Sequence, residues 1–359
     1  MPWSSSTGPA PMTSNPPLKR PLRIGLVGTG IGSLHAAGIS RMPQLATLGA
    51  ICGLDTHAVN ALATRYGVEK TTSRYEDLLN DPGLDVIDLC VPHDEHMPMA
   101  IAAARAGKHL LIEKPLARTL EEADAILEAV KSAGVTLMMG HNQRYYAHHA
   151  RAKALVDAGV IGKPYMIVAS VHVHGQIDGF RRFLKHAGGG TLIDSGVHRF
   201  DLIRWIMGEV ETVFAQTGRF LQMQMEGEDC AVVTLRFRSG AIGSFSCSWS
   251  AKGPVPEETL QIFGPYGSIY TEDHTRTLRL YTERPTPELE DVRQFVFPVD
   301  QAESIRRMIE AHFTSLQQGL PPPITGMDGR ASLELSMASY RSAQTGQPVH
   351  LPLQRGNQK

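Results

Sequence analysis

The sequence feature that most constrains the fold is a regular alternation of strand-like and helix-like segments that starts at residue 22. The first strand-like run, Leu22–Val27, is followed by the glycine-rich segment G-T-G-I-G-S (Gly28 to Ser33) and by a helical stretch that ends near Met42. Further strands are predicted at 48–54, 84–91, 109–112 and 135–139, with helices at 58–66 and 96–106 and another that opens at Thr119. Alternation at this spacing is typical of βαβ units, so we expect an α/β domain with a doubly wound parallel sheet.

After about residue 142 the pattern changes from alternation to a series of closely spaced strands. Helices are predicted at about 149–158 and 197–207, and a long strand is predicted at 165–174. Further strand-like runs follow at 210–220, 230–237, 241–250, 260–264, 268–270, 278–281 and 295–299. Sequential strands with short turns predict a large, open, mainly antiparallel sheet, and two helices at about 302–318 and 328–343 complete this α+β region.

Residues 1–20 differ in composition from the rest of the chain. They contain five prolines and six serines or threonines, and they lack the apolar stretch that a secretory signal needs. We therefore interpret them as a disordered tail and leave them out of the fold argument. The remaining chain divides into an α/β domain at 21–141 and an α+β domain at 142–353.

The charge balance excludes several classes of partner. The chain has 35 basic and 36 acidic residues and a net charge of −1, so it has no broad positive field for nucleic acid or an anionic membrane. No apolar run approaches the roughly 18 residues of a membrane span. The cysteines (Cys52, Cys90, Cys230 and Cys247) are far apart and lie in apolar runs, which indicates reduced, buried thiols in a cytoplasmic protein.

The glycine-rich segment is placed to bind a dinucleotide. Gly28 and Gly30 follow a predicted strand and precede a helix, where backbone amides can approach a pyrophosphate. Ser33 stands in place of the usual third glycine and is still small. Asp55 ends the second strand about 20 residues later, where a carboxylate can accept hydrogen bonds from an adenosine ribose. A tight turn and a solvated aspartate are the alternative, and the missing G-K-[ST] excludes a P-loop.

Two further segments carry side chains suited to proton transfer. Glu113-Lys114-Pro115 follows the fourth strand, at the sheet edge where doubly wound folds bind ligands, so Lys114 is placed to polarise a substrate hydroxyl. A glycine run at 188–190 precedes Asp194 and His198, whose spacing puts both on one face of a first helical turn. A histidine beside a carboxylate is a suitable proton acceptor. From these residues alone, an ordinary surface lysine and a helix-capping aspartate with a core histidine remain equally compatible.

Taken in order, these motifs resemble the Gfo/Idh/MocA oxidoreductases, which are NAD(P)-dependent dehydrogenases or reductases of sugars and polyols with this two-domain layout. The resemblance covers about residues 22–353. It rests on G-T-G-I-G-S, E-K-P-L, G-G-G-T-L-I-D-S-G-V-H-R-F-D, the P-x-x-x-H of Pro92 and His96, G-K-H at 107–109, Asn142 with Arg144, and S-x-x-x-G-x-P-V-x-L-P at 342–352. Ser33 departs from the family pattern and weakens the cofactor-loop argument slightly.

The resemblance implies roles for the matching residues. Lys114 corresponds to a catalytic lysine that stabilises charge on the reacting oxygen, His198 to the general base or acid, and Asp194 to a residue that binds substrate and orients the site. The implied cofactor-binding residues are Gly28, Gly30, Ile31, Asp55, Pro92, His96, Glu113 and Asn142. The implied cofactor is NAD rather than NADP, because the Asp55 carboxylate would repel a 2′-phosphate.

The resemblance also implies how the domains are used. The domain at 21–141 would bind the dinucleotide, and the domain at 142–353 would bind a small carbohydrate and form homodimers or homotetramers. The C-terminal helices of the second domain would pack back on the first domain.

Histidines outside these motifs raise a metal site as one interpretation. His172 and His174 share a face of the predicted strand at 165–174, with Asp194 and His198 placed nearby. The family works without metal, so we expect none and assign His172 and His174 to substrate hydroxyls, with an ordinary sheet surface as the alternative. We interpret the basic segment at 181–186 as a solvated loop, with binding of an anionic substrate as the alternative.

The leading functional hypothesis is an NAD-dependent oxidoreductase that transfers a hydride between nicotinamide and a carbinol carbon of a sugar, polyol or cyclic sugar derivative. One alternative is an NAD-dependent glycoside-cleaving enzyme that uses transient oxidation. Another is a non-catalytic sensor that only binds a dinucleotide. The joint presence of Lys114, Asp194 and His198 disfavours the sensor, since sensing requires none of them.

Overall fold

The computed structural model of the protein describes residues 20–253, 258–273, 276–284, 292–297 and 301–353. Residues 1–19 of the predicted tail, and residues 298 and 299 of the strand predicted at 295–299, lie outside the described residues. Within the described ranges, no helix combines the length and the apolar character that crossing a membrane requires.

The first half of the described chain folds around a parallel sheet. Its elements are β1 (Leu22–Val27), α1 (Gly32–Ser40), β2 (Ala46–Cys52), α2 (Thr56–Tyr66), β3 (Thr71–Thr72), α3 (Tyr75–Leu79), β4 (Val86–Leu89), α4 (His93–Arg105), β5 (His109–Ile112), α5 (Leu120–Ala133) and β6 (Leu137–Met139). Among the described residues the strand order is β3-β2-β1-β4-β5-β6, with every pair parallel. This is the order of a dinucleotide-binding doubly wound sheet, which confirms the predicted fold class.

Local sequence explains where these elements begin and end. The Thr119 hydroxyl accepts a hydrogen bond from the backbone N–H of Glu122 and starts α5, as predicted. Helix α4 starts at His93 rather than at residue 96, because Pro92 fixes the backbone at the N-cap and two acidic residues occupy the first turn. This earlier start directs His93 toward the carboxyl edge of the sheet.

The second half of the described chain supplies one long sheet and the helices that cover it. Its elements are α6 (Ala147–Asp157), β7 (Met166–His172), α7 (Leu184–Ala187), α8 (Val197–Met207), β8 (Val210–Gly218), β9 (Cys230–Phe237), β10 (Ile242–Ser248), β11 (Glu258–Gly264), β12 (Gly267–Glu272), β13 (Thr277–Thr282), β14 (Val292–Val296), α9 (Gln301–Gln317), α10 (Gly326–Thr345) and β15 (Val349–His350).

This second sheet is mainly antiparallel, as predicted, but the chain does not cross it as a simple meander. Among the described residues the order is β14-β13-β12-β11-β7-β10-β9-β8-β15. Strand β7 lies in the middle and pairs parallel with β10 and antiparallel with β11. Helix α8 and strands β8 and β9 lie between β7 and β10 in the chain, and this connection is long enough for β10 to return parallel to β7.

The last two helices connect the two sheets. Apolar residues of α9, among them Ile305 and Ile309, pack into a buried cluster with Leu22 and Ile39 of the first sheet and its helix. On α10, Leu333 belongs to the core beneath the parallel sheet, while Leu335 belongs to the core of the second sheet. The carboxyl edge of the parallel sheet is therefore held against the loop before α8.

Candidate active site

The glycine-rich turn after β1 forms a backbone cradle. Gly28 has a φ of +93°, and a Cβ atom there would lie 2.1 Å from the carbonyl oxygen of Cys90, so only glycine fits. At Gly30 a Cβ would meet no described atom within 4 Å, which leaves open space above the backbone. Helix α1 starts directly behind this space at Gly32. Such a turn fits the pyrophosphate of a dinucleotide, which approaches the backbone and the helix N-terminus.

A cleft of about 1210 Å³ extends from this turn to the second sheet's loops. Its lining includes Gly28, Gly30 and Ile31 of the turn, and also Lys114 and His198. Other predicted residues that line it are Pro92, Glu113 and Asn142. One continuous cavity thus contains both the cradle and the candidate catalytic groups.

Lys114 is held by Asp194. The Lys114 ammonium donates hydrogen bonds to Asp194 Oδ1 at 2.8 Å and to the Asp194 carbonyl oxygen at 3.1 Å. Arg181 Nε donates to the other carboxylate oxygen, Oδ2, at 2.7 Å. Burial alone would raise the pKa of Asp194, but Lys114, Arg181 and His93 hold it well below its usual range. The carboxylate therefore stays ionised and fixes the lysine at the cleft.

His198 lies at the cleft as a partly buried, neutral imidazole. Burial lowers the pKa of His198 well below its usual value, and the nearby charges of Lys114 and His141 lower it further. Its Nδ1 has no hydrogen-bond partner among the described residues. A neutral ring can accept a proton from a hydroxyl group in the cleft.

The local helix geometry differs from the prediction for Asp194 and His198. Residues Leu192–Gly196 form a π-helical turn, and α8 starts only at Val197. Since a π turn contains an extra residue, the four-residue spacing does not place the two side chains as in an α-helix. Both oxygens of the Asp194 carboxylate bond to Lys114 and Arg181, and its negative charge acts on His198 in the direction that raises the pKa of the imidazole.

The glycine run passes very close to the backbone before β9. A Cβ at Gly190 would lie 1.9 Å from the Glu228 carbonyl oxygen. The Glu228 carboxylate accepts hydrogen bonds from the N–H groups of Gly190 and Leu192, at 3.0 and 2.9 Å, and from the Tyr340 hydroxyl at 3.0 Å. Glu228 thereby fixes the turn that carries Asp194. Glu228 was not predicted from the sequence, because a lone glutamate far along the chain carries no local signal.

Two histidines of this region, His35 and His93, were also not predicted from the sequence. The buried His35 ring lies 2.9 Å from Asp88 through Nδ1 and 3.1 Å from Glu113 through Nε2. Burial alone would lower the pKa of His35, but the Asp88 carboxylate raises it well above its usual value. A charged His35 thus holds Glu113, the residue before Lys114. His35 lies on α1 and Glu113 directly follows β5, so their pairing depends on packing between two segments that are far apart in the sequence.

His93 lines the cleft beside Asp194, with its Nε2 3.9 Å from Asp194 Oδ1. Its Nδ1 donates to the Ala187 carbonyl oxygen at 2.9 Å, and Phe180 contacts its ring edge-on at 5.0 Å. Burial lowers the pKa of His93 to about 3. The neutral ring therefore joins α4 to the last residue of α7. The V-P-H-D sequence after β4 was the available signal.

Several predicted site residues lie elsewhere. His96 is buried, and its Nδ1 lies 2.8 Å from the Pro115 carbonyl oxygen, so it supports the loop that carries Lys114. His172 bonds to Ser246 Oγ at 2.9 Å on the sheet face opposite the core. His174 lies beyond the end of β7, beside a separate depression that includes Arg182 and Gln222. The structure does not bring these two histidines together with Lys114, because His172 lies on the sheet face away from the core and His174 lines this separate depression.

Asp55 caps a helix. It is the N-cap residue of α2, and its Oδ1 accepts a hydrogen bond from the Ala58 N–H at 3.0 Å. Gly53 and Leu54 line the cleft next to it. Oδ1 is therefore engaged by the helix, and Oδ2 is the oxygen left to accept a hydrogen bond from a ribose hydroxyl.

The basic segment folds into two short helical turns rather than a loop. Gly179–Arg182 is a 3-10 turn, and Leu184–Ala187 is α7. Arg181 lies at the cleft and is paired with Asp194, whereas His186 is paired with Asp94 of α4. Arg181 is thus part of the site, contrary to the interpretation of this segment as simply solvated.

Comparisons with known proteins agree with this geometry. Residues 22–141 match the family model "Oxidoreductase family, NAD-binding Rossmann fold", and residues 149–270 match the "GFO/IDH/MocA C-terminal domain". The chain is 32% identical to the myo-inositol 2-dehydrogenase of Thermotoga maritima over 339 residues, which is 92% of this chain and 98% of that protein. It is 29% identical to the scyllo-inositol 2-dehydrogenase (NAD(+)) of Bacillus subtilis, over 94% of this chain and 98% of that protein.

A solved structure shares the fold over nearly the whole chain. Levoglucosan dehydrogenase in complex with NADH and levoglucosan superposes with a TM-score of 0.87 at 26% identity. The superposition covers 93% of this chain and 100% of that chain. Both sheets are therefore shared with an enzyme that holds a nicotinamide cofactor and a cyclic sugar derivative.

Proposed function

The chain belongs to the GFO/IDH/MocA oxidoreductases and is an NAD-dependent enzyme acting on carbohydrate CH–OH groups; on this premise we propose that its substrate is a cyclic polyol or cyclic sugar. The observation that supports this most directly is the placement of Lys114 Nζ and the His198 ring in the cleft that begins at Gly28 and Gly30. A hydroxyl-bearing carbon bound between them would lie beside the cofactor's path.

The cradle and the cleft fit NAD. Gly28, Gly30 and Ile31 would hold the pyrophosphate, Asp55 Oδ2 a ribose hydroxyl, and Pro92 and Asn142 the nicotinamide half. When bound, NAD supplies the acceptor or donor of the hydride. His96 and Glu113 support this half of the cleft by holding the segments on either side of Lys114.

The residues of the chain supply proton transfer and charge stabilisation. In the oxidation direction, the neutral His198 accepts the hydroxyl proton, and the Lys114 ammonium donates a hydrogen bond to the oxygen as negative charge develops on it. In the reduction direction, His198 returns the proton to the oxygen. Asp194 acts as a positioning residue, because both of its carboxylate oxygens hold cationic side chains rather than facing the cleft.

The choice of a cyclic substrate rests on the relatives and on the site. The relatives described above are named for inositols and levoglucosan, which are cyclic compounds with several hydroxyl groups. At the cleft end near Lys114, Phe180 supplies an aromatic ring and Arg181 supplies hydrogen-bond donors. An aromatic side chain and hydrogen-bond donors together suit a substrate ring that carries several hydroxyl groups.

A substrate panel tests the proposal. Purified protein with NAD and inositols, levoglucosan, aldoses and linear polyols should form NADH with at least one cyclic compound, measured by NADH absorbance. Silence with every compound despite NAD binding would contradict the proposal and favour the sensor. Retained NAD and release of sugar from glycosides without net NADH would favour the glycoside-cleaving alternative.

A further inference from the structure

His93 has a ring nitrogen without a hydrogen-bond partner among the described residues. The ring lines the cleft, although only 3% of the side chain is exposed. Its Nδ1 lies 2.9 Å from the Ala187 carbonyl oxygen, whereas its Nε2 lies 3.9 Å from Asp194 Oδ1, which is too far for a hydrogen bond. Since buried polar atoms are normally hydrogen-bonded, this nitrogen is open to a partner that enters the cleft.

The protonation state of His93 makes this nitrogen an acceptor. A carbonyl oxygen can only accept, so Nδ1 carries the hydrogen that is donated to Ala187. Burial lowers the pKa of His93 to about 3, so the ring is neutral near pH 7 and carries no second hydrogen. Nε2 therefore presents a lone pair, and the partner that it lacks is a donor such as a hydroxyl group.

The contacts of the ring fix the direction of this lone pair. The bond from Nδ1 ties His93 to the last residue of α7, and Phe180 contacts the ring edge-on at 5.0 Å. Turning the ring over would break the bond to Ala187 without providing a better one. The acceptor is thus held in place before any ligand binds, which lowers the entropy cost of binding.

The open nitrogen lies close to the position of the reacting oxygen. Asp194 Oδ1 accepts a hydrogen bond from Lys114 Nζ at 2.8 Å and lies 3.9 Å from His93 Nε2. Two hydrogens of the Lys114 ammonium are donated to Asp194, which leaves the third for the reacting oxygen. One hydroxylated ring can therefore place its reacting oxygen at Lys114 and the hydroxyl of the neighbouring carbon at His93.

The neighbouring histidine on α4 does not share this arrangement. His96 Nδ1 lies 2.8 Å from the Pro115 carbonyl oxygen, and its Nε2 lies 3.1 Å from the Val91 carbonyl oxygen. Both nitrogens of His96 are thus in contact with the backbone of the cleft wall. His93 is the one of the two that has a nitrogen left for a ligand.

We propose that His93 is a substrate-binding residue, and that its Nε2 accepts a hydrogen bond from the substrate hydroxyl next to the reacting one. The inference rests on the proposed function, which places the reacting oxygen at Lys114. It narrows the substrate class to compounds whose oxidised carbon is flanked by a second free hydroxyl. A ring without that hydroxyl leaves the buried nitrogen unpaired and binds more weakly.

Two variants of His93 separate this role from a structural one. In His93→Asn the amide nitrogen takes the position of Nδ1 and keeps the bond to Ala187, but nothing replaces Nε2. In His93→Gln the amide oxygen takes the position of Nε2, but the bond to Ala187 is lost. The control is His350→Gln, at an exposed histidine of β15 outside the cleft. Calorimetry on NADH-loaded protein measures the binding of inositols, levoglucosan, aldoses and linear polyols.

The compound that binds the wild type most tightly should bind His93→Asn about tenfold more weakly. Its affinity for His93→Gln and for the control should stay within about threefold of the wild type. The deoxy analogue that lacks the hydroxyl next to the oxidised carbon should bind the wild type about tenfold more weakly than its parent, and His93→Asn should not distinguish the two. Wild-type affinity in His93→Asn, or a larger loss in His93→Gln than in His93→Asn, would overturn the proposal.

Two further readouts separate a substrate contact from a contact to the cofactor and from proton transfer. The affinity for NADH should be the same in every variant, and a loss in His93→Asn would overturn the proposal by assigning the nitrogen to the cofactor. Glutamine cannot take up a proton, so the kcat of His93→Gln should stay close to that of the wild type. A loss of kcat with binding intact would make His93 a proton acceptor and would also overturn the proposal.

Nitrogen-15 NMR of the NADH-loaded wild type tests the assignment without any substrate. His93 should show a protonated Nδ1 and an unprotonated Nε2. A protonated Nε2 would overturn the proposal even if the protein is confirmed as a dehydrogenase. Conversely, binding of a cyclic compound without NADH formation would contradict the proposed function, while the comparison of the two His93 variants would still decide the role of His93.

Discussion

At the residue scale, Lys114 is the side chain on which the proposed chemistry depends most. Lys114→Ala should lower kcat on the order of 100-fold, because it removes the charged donor to the reacting oxygen. The affinity for NAD should change little, since the ammonium is held at Asp194 and not at the glycine turn. Steady-state kinetics and fluorescence titration with NADH measure the two effects separately.

A matched control is Lys131→Ala, which removes an exposed lysine from the last turn of α5. It should leave both kcat and NAD affinity unchanged. Turnover of Lys114→Ala close to that of this control would remove the catalytic assignment.

The environment of His198 determines the expected pH dependence. Because burial and Lys114 lower the pKa of His198, the ring is neutral at and above its usual pKa of about 6.5. The oxidation rate should therefore fall only at a pH below this value, where His198 takes up a proton. The pH–rate profile should show no inflection near pH 6.5. Lys114→Met removes a positive neighbour and should raise the pKa of His198, which NMR titration of the imidazole can follow. An unchanged pKa of His198 in this variant would show that the two groups do not interact. A lower pKa would contradict the expected direction of the effect.

Asp55 can be tested without disturbing the helix that it caps. Asp55→Ser keeps an N-cap side chain on α2 but removes the negative charge next to the ribose position. The preference for NAD over NADP, measured as a ratio of kcat/KM values, should fall by about tenfold, or about 1.4 kcal/mol. Thermal stability should stay the same. An unchanged cofactor ratio would show that Asp55 serves only as a helix cap.

At the scale of single elements, the turn before α8 depends on the closeness of two backbone segments. In Gly190→Ala the new methyl group would lie 1.9 Å from the Glu228 carbonyl oxygen, and neither backbone can move without breaking the hydrogen bonds around Glu228. Unfolding experiments should show a loss of more than about 2 kcal/mol. Gly175→Ala is the control, because its methyl group would meet no described atom within 4 Å, and it should change stability by less than about 0.5 kcal/mol. Equal stability of the two variants would contradict this account of the turn.

The sequence predicted elements well where local signals determine them. The Thr119 cap, the strand at 109–112 and the helix at 197–207 agree with the structure, because apolar periodicity and capping are properties of neighbouring residues. The π turn at Leu192–Gly196 was not predicted, since its extra residue is held by contacts with Glu228 from a distant segment. The short strand β3 was missed because two residues give too little pattern to detect.

At the scale of the whole molecule, the fold class followed from the order of motifs, but the position of β7 did not. A sequence shows which segments form strands, whereas the pairing of β7 with both β10 and β11 depends on long-range packing. The same limit applies to the site. Lys114 and His198 were predicted to share a cleft. The ion pair between Arg181 and Asp194 was not predicted, because it depends on how the segment before the glycine run folds.

The outer face of the second sheet supports the expected association of the chain into dimers or tetramers. The face opposite the core exposes large apolar side chains, among them Val232 (57%) and Ile242 (51%). Apolar surface gathered on one sheet face is typical of an interface between subunits.

We expect light scattering at micromolar concentration to show at least a dimer. Ile242→Glu should shift it toward monomer without changing NAD affinity, because this face points away from the cleft, whereas Leu320→Glu, at an exposed leucine outside the sheet, should leave the assembly intact. A monomeric wild-type chain would contradict the expectation, and an assembly unaffected by Ile242→Glu would place the interface elsewhere.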